Sequence, residues 1–233
     1  MEKILKLKNK ELIIFDFDGT LIDSGPDLAS ALNYTLEKLG LKTYSQKTIH
    51  YWVGNGAKTL VKRGLLGKTD VENDDVDTSE LNEALEIFLN YYAKNICINT
   101  KTYPDVKKTL KSLHNSGYKM AIVTNKPYNF ISPILDKLEL IELFEFYIGG
   151  DSLKEKKPSP KPLLHVCETL NIDIKDSVMV GDSKNDILSA NGCEMQSIGV
   201  TYGYNYGEDI KKYNPTITID DFKDILRVIE DDK

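Results

Sequence analysis

Three short apolar runs each stop abruptly at a polar residue, and this pattern restricts the fold more than any other feature of the chain. Leu12, Ile13, Ile14 and Phe15 end at Asp16; Met120, Ala121, Ile122 and Val123 end at Thr124; Val178, Met179 and Val180 end at Gly181 and Asp182. The runs are continuous rather than alternating, as expected of strands buried on both faces of a parallel sheet. Helical signals fall between them. Pro26 precedes Leu28, Leu32, Leu36 and Leu39 at helical spacing up to Gly40, and further helices are expected from Pro104 to Gly117, Pro127 to about Leu138, Pro160 to Leu170 and Ser183 to Gly192. Shorter strands are expected at Phe146 to Ile148, Ser197 to Val200 and Thr216 to Ile219, with a terminal helix from Phe222 to Ile229.

This alternation predicts a Rossmann-like α/β core, a parallel sheet with helices on both faces. From Tyr44 to Asn99 no comparable strand run appears, and Leu81, Leu85, Phe88, Leu89 and Tyr92 again lie at helical spacing. The expected organisation is therefore a core of residues 1–22 and 98–233 with an all-helical domain, residues 23–97, inserted into it. Asp70, Glu72, Asp74, Asp75, Asp77, Glu80, Glu83 and Glu86 fall in a stretch without Lys or Arg, which reads as a solvated helix connection.

Composition narrows the function. Hydrophobic residues make up 41% and charged residues 28% of the 233, an ordinary globular balance, and no apolar run approaches transmembrane length. Met1 to Lys10 lacks the apolar block of a signal peptide, so a cytoplasmic protein is expected. A net charge of −6 without a basic face argues against nucleic acid. Cys97, Cys167 and Cys193 are odd in number and in no metal-ligand pattern, and read as reduced thiols. Oligomeric state has no signature in the chain.

Ligands of open α/β sheets bind at the carboxyl ends of the strands, where Asp16, Asp18, Thr124, Asn125 and Asp182 all fall. Carboxylates gathered there would repel one another unless a cation lay among them, and Mg²⁺ suits an oxygen site completed by water and a substrate phosphate. Asp16 and Asp182 are the expected ligands, with Asp186 holding a metal water or orienting Asp182. Asp16 can also act as a nucleophile that forms an aspartyl-phosphate, with Asp18 as acid and base. Thr124, Asn125 and Lys157 are candidates to hold and neutralise the phosphate.

Asp16-Phe17-Asp18-Gly19-Thr20, Thr124-Asn125, Lys157-Pro158 and Gly181-Asp182-Ser183-Lys184-Asn185-Asp186, in that order, resemble the four motifs of the haloacid dehalogenase superfamily. The resemblance spans nearly the whole chain and implies that the helical insertion is that superfamily's cap. It also implies a main-chain contribution of Asp18 to the metal. Longer stretches, among them Trp52-Val53-Gly54-Asn55-Gly56, Val123-Thr124-Asn125-Lys126-Pro127 and Thr201 to Gly207, resemble the phosphoglycolate phosphatases. The implied activity is Mg²⁺-dependent hydrolysis of a small phosphorylated metabolite, 2-phosphoglycolate foremost. Pyrophosphatase, broad sugar-phosphate phosphatase and phosphomutase activities remain open alternatives on the same core, as does a non-catalytic phosphate-binding module. Dehalogenase and phosphonatase members of the superfamily lack an acid at the position of Asp18, which argues against both.

Other residues have plainer expectations. Gly54, Asn55 and Gly56 form either an ordinary turn or a cap loop over the substrate. Arg63 and Lys58 are expected to be solvated, Trp52 to anchor the insertion, and His50, His114 and His165 to bind no metal. The aromatic stretch from Tyr202 to Tyr206 is expected to be a packing loop without chemistry.

Overall fold

A computed structural model describes residues 6–229; residues 1–5 of the amino-terminal segment and residues 230–233 of the expected core lie outside the described residues. In chain order the strands and helices are β1 (Leu12–Phe15), β2 (Ile22–Asp23), α1 (Gly25–Lys38), α2 (Gln46–His50), α3 (Ala57–Leu66), α4 (Thr78–Lys94), β3 (Lys101–Thr102), α5 (Val106–Asn115), β4 (Lys119–Val123), α6 (Ile131–Lys137), β5 (Phe146–Ile148), α7 (Lys161–Leu170), β6 (Ser177–Gly181), α8 (Lys184–Asn191), β7 (Gln196–Val200), β8 (Ile217–Ile219) and α9 (Ile225–Val228).

Six strands form one parallel sheet in the order β5-β4-β1-β6-β7-β8. The chain leaves β1 to build β4 and β5 on one side, then crosses back to build β6, β7 and β8 on the other. The order therefore reverses at β1, and a crevice opens at the carboxyl end of such a switch point. Phe15 is in register with Ile122 on β4 and Val180 on β6, so Asp16, Thr124 and the Gly181-Asp182 pair leave three adjacent strand tips.

Both faces of the sheet are buried, which is why its strands read as unbroken apolar runs. Ile13, Phe15, Met120, Ile122, Val178 and Val180 face one core with residues of α5, α6 and α9; Leu12, Ile14, Ala121, Val123 and Met179 face a second core with α7 and α8. The first core continues through Phe17, Leu21 and Ile22 into the helical insert, where α1 packs against α4 with Tyr34 stacked on Tyr91 at 4.2 Å. Trp52 is buried, and the acidic residues between α3 and α4 are largely exposed, with Asp77 capping α4 through the N–H groups of Ser79 and Glu80.

Three elements depart from expectation. The helix expected from Pro127 begins with a 3₁₀ turn at Tyr128–Phe130, because Pro127 itself is extended, at ψ 136°. The helix expected from Pro104 starts at Val106, after Asp105 in the left-handed region. The antiparallel ribbon of β2 and β3 has no counterpart in the sequence reading, since a two-residue strand shows no period. Where the chain returns to β3, the buried Asp27 of α1 accepts hydrogen bonds from the N–H groups of Ile98, Asn99 and Thr100 and from the Thr100 hydroxyl.

Candidate active site

The tips of β1 and β6 and the first turn of α8 bring Asp16, Asp182 and Asp186 together, with one carboxylate oxygen of each within 4.8 Å of the others. All three are buried. Burial raises the pKa of Asp16 to about 7, and the Asp186 charge adds to this while Lys157 opposes it. Asp182 is likewise driven up, by burial first and then by Asp16 and Asp186.

The donors left around these carboxylates fit a small divalent cation. Asp182 Oδ1 accepts from the Thr20 hydroxyl at 2.7 Å and Oδ2 from the Tyr204 N–H at 2.6 Å, and each oxygen keeps a further lone pair. Asp16 Oδ1 meets the Lys157 ammonium at 2.9 Å without hydrogen-bond alignment. Asp186 is engaged on both oxygens. Oδ1 pairs with Lys157 at 2.5 Å, and Oδ2 accepts from Ser183 N–H and Oγ in a capping box at the start of α8. Its observed side-chain partners are Lys157 and Ser183, and it makes no hydrogen bond to Asp182, the contact that one of its two expected roles would use. By the same count Asp186 Oδ1, with one partner, keeps a lone pair, so all three carboxylates could hold a metal.

Two glycines permit this approach. Gly19, at φ 97°, and Gly203, at φ 98°, both pack on Asp182; a β-carbon on either would lie 2.3 and 2.5 Å, respectively, from Asp182 Oδ2.

Asp18 turns away from the cluster. Its carboxylate accepts from the Ser24 hydroxyl at 2.6 Å and lies 3.0 and 3.1 Å from the ammonium of Lys126. Lys126 is buried; desolvation would lower its pKa, but Asp18 and Tyr92 together outweigh that and raise it. No role was expected of Lys126, although a lysine directly after a strand-tip pair, at an edge crowded with acids, is a visible signal. Lys157 is likewise buried and, despite desolvation, raised by Asp16 and Asp186, whereas Lys154 and Lys156 are exposed.

Thr124 is buried at the β4 tip, where its hydroxyl accepts from the Lys126 N–H at 3.2 Å. Asn125 donates both amide hydrogens to carbonyls, of Gly54 and Lys157, each at 3.1 Å. Its side chain thus ties two loops together instead of reaching for a phosphate. The Gly54-Asn55-Gly56 loop is pinned over the strand tips: Asn185 also donates to the Gly54 carbonyl, Lys156 donates to the Asn55 carbonyl at 2.7 Å, and Tyr206 pairs with the Asn55 side chain.

Two plainer expectations are corrected. The Tyr202–Tyr206 stretch is more than packing, since it supplies the Tyr204 N–H to Asp182 and the Tyr206 contact to the loop. Arg63 is buried, donates to the carbonyls of Trp52 and Thr69, and stacks on the Tyr206 ring, so it braces the insert instead of facing water. Lys58 is exposed and Cys97, Cys167 and Cys193 are free thiols, as expected. No helix among the described residues is long and apolar enough to cross a membrane.

Residues 13–200 match the family model of the haloacid dehalogenase-like hydrolases. Phosphoglycolate phosphatase from Colwellia psychrerythraea is 49% identical over 222 residues, covering 95% of this chain and 98% of that protein. Phosphoglycolate phosphatase from Psychrobacter arcticus is 48% identical over 218 residues, covering 94% and 95%. The crystal structure of a predicted phosphoglycolate phosphatase from Haemophilus somnus superposes with a TM-score of 0.88 at 38% identity, covering 94% of this chain and 98% of that one. Together with Asp16, Thr124 and Asp182 at three adjacent strand tips, these relationships assign the chain to the haloacid dehalogenase-like hydrolase family, as an enzyme of its phosphatase branch.

Proposed function

We propose that the protein hydrolyses 2-phosphoglycolate to glycolate and phosphate through an aspartyl-phosphate on Asp16. One observation carries this reading: Asp16 is a buried carboxylate at the tip of the central strand, held 2.9 Å from the Lys157 ammonium, with Asp18 two residues beyond it on the same cavity. The relatives named above supply the substrate. The helical insert, residues 23–97, is read as a cap whose Gly54-Asn55-Gly56 loop covers the site.

In this mechanism Asp16 attacks phosphorus as the bond to the leaving oxygen breaks, and Asp18 protonates that oxygen. Asp18 then takes a proton from water, which attacks the phosphorus of the aspartyl-phosphate and restores the Asp16 carboxylate. Lys157 offsets the charge on the phosphoryl oxygens, and Thr124 offers its hydroxyl. Asp186 and Asn125 keep Lys157 in place through its ammonium and its carbonyl. Mg²⁺, held by Asp16, Asp182 and the main chain of Asp18, would screen the phosphate from the carboxylates and polarise it.

A substrate panel with Mg²⁺ tests the reading. The highest kcat/KM is expected for 2-phosphoglycolate, and a higher value for glucose 1-phosphate or pyrophosphate overturns the substrate. Acid-quenched turnover should leave phosphate on the peptide containing Asp16, and hydrolysis by Asp16→Asn at the native rate overturns the nucleophile.

A further inference from the structure

The cavity lined by Asp16, Asp18 and Thr124 extends beyond the strand tips under the helical insert. Its upper wall is apolar, formed by Leu28, Val53, Leu60, Phe88 and Phe130. Two polar groups interrupt that wall. Lys126 lies with its ammonium 4.8 Å from the centre of the Tyr92 ring and 3.0 Å from Asp18. Tyr92, on α4, is 1% exposed; the Lys126 ammonium lies beside its hydroxyl oxygen, and the hydroxyl hydrogen has no acceptor among the described residues. A buried hydroxyl left without a partner is costly, and the ones that persist are commonly ligand contacts.

We infer that Lys126 and the Tyr92 hydroxyl form the subsite for a carboxylate on the substrate, and so select a two-carbon phosphorylated acid over uncharged phosphomonoesters. The inference rests on the phosphatase reading of the strand tips and adds the determinant of its specificity. Covalent reach fixes the position. In 2-phosphoglycolate the carboxylate carbon is two bonds from the leaving oxygen, the atom that Asp18 protonates. A cation touching Asp18 therefore lies within reach of that carboxylate.

Donor count agrees. The Tyr92 hydroxyl hydrogen has no acceptor among the described residues, and Tyr92 keeps that proton because burial raises its pKa to about 12. The start of α3 opens on the same space at Gly56 and Ala57, with no side-chain cap and no acid in its first turn, so its field also favours an anion. The surrounding apolar wall offers nothing to the hydroxyls of a sugar.

Ethyl phosphate is the probe, since it matches 2-phosphoglycolate except for the carboxylate. In an Asp16→Asn background, calorimetry should show 2-phosphoglycolate bound about 10- to 100-fold more tightly than ethyl phosphate. Tyr92→Phe, which keeps the ring packing, should reduce that preference about tenfold, and Lys126→Gln should abolish most of it. The same ratios are expected in kcat/KM with Asp16 present. Equal affinity for the two ligands, or a parallel loss for both in the variants, overturns the subsite; the parallel loss would mean that Lys126 acts only through Asp18. A binding preference without turnover of either ligand overturns the phosphatase reading and keeps the subsite, whereas turnover of both at equal kcat/KM does the reverse.

Discussion

The side-chain amide of Asn125 donates to the carbonyl of Gly54, seventy-one positions earlier, at 3.1 Å. This bond joins the tip of β4 to the glycine loop of the helical insert and helps to hold that loop above Asp16. Asn125→Ala removes it together with the bond to Lys157. The expected result is a rise in KM and a fall of about tenfold or more in kcat/KM, at about a kcal/mol per bond. Steady-state kinetics on 2-phosphoglycolate checks this.

In the proposed mechanism Asp18→Asn removes the proton donor but leaves the nucleophile. The expected loss in kcat is about 10²- to 10⁴-fold for a poor leaving group such as glycolate. An aryl phosphate, whose leaving oxygen needs no proton, should lose far less in the first step, which a pre-steady-state burst of the released phenol would report.

Gly203→Ala forces a β-carbon against Asp182 at a φ that an L-residue rarely adopts. In the proposed mechanism Asp182 holds the metal, and displacing it from its supporting contacts weakens metal affinity by about 10- to 100-fold. The Mg²⁺ concentration for half-maximal activity should rise accordingly, with activity recovered at saturating metal.

Lys157→Met leaves Asp16 and Asp186 buried as unpaired like charges. Breaking such a pair costs about 3–5 kcal/mol, which for a chain of this size lowers Tm by about 10 °C. A thermal melt in the absence of substrate measures it, and Asp16→Asn combined with Lys157→Met should recover part of the loss.

Without metal, stability should fall as pH rises. The folded-state pKa of Asp16, about 7, exceeds its ordinary 3.8, so the folded state holds its proton more tightly than the unfolded chain does. The associated stabilisation is complete below the ordinary value and disappears as pH rises through the folded one, and Asp182 shifts in the same direction. A cation between the carboxylates removes this penalty. Mg²⁺ should therefore raise Tm more at about pH 8 than at about pH 5, in proportion to the carboxylate ionised.

The strands of the sheet were legible because burial on both faces leaves an unbroken apolar run, as at Leu12–Phe15 and at Val178, Met179 and Val180 of β6. Asp16, Thr124 and Asp182 stood out for the same reason, as polar residues ending such runs. What stayed hidden depends on distances that no periodicity encodes. Nothing in Tyr204 announces that its N–H meets Asp182, and a lone Arg63 in an amphipathic helix reads as solvated until Trp52 and Tyr206 close around it. Asp186 was placed correctly on α8, but its partner Lys157 arrives from a loop twenty-nine positions away, which spacing along a helix cannot anticipate.

The ribbon of β2 and β3, with Asp27 grasping the amides of Ile98, Asn99 and Thr100, pins the departure and return of the helical insert side by side. A segment whose two ends are stapled together can lengthen, shorten or be exchanged as a cassette with little added loop-closure entropy. The sheet and its strand tips need not adjust to such a graft. On this scaffold, new specificity can evolve by replacing the cassette while the hydrolytic chemistry below it stays fixed.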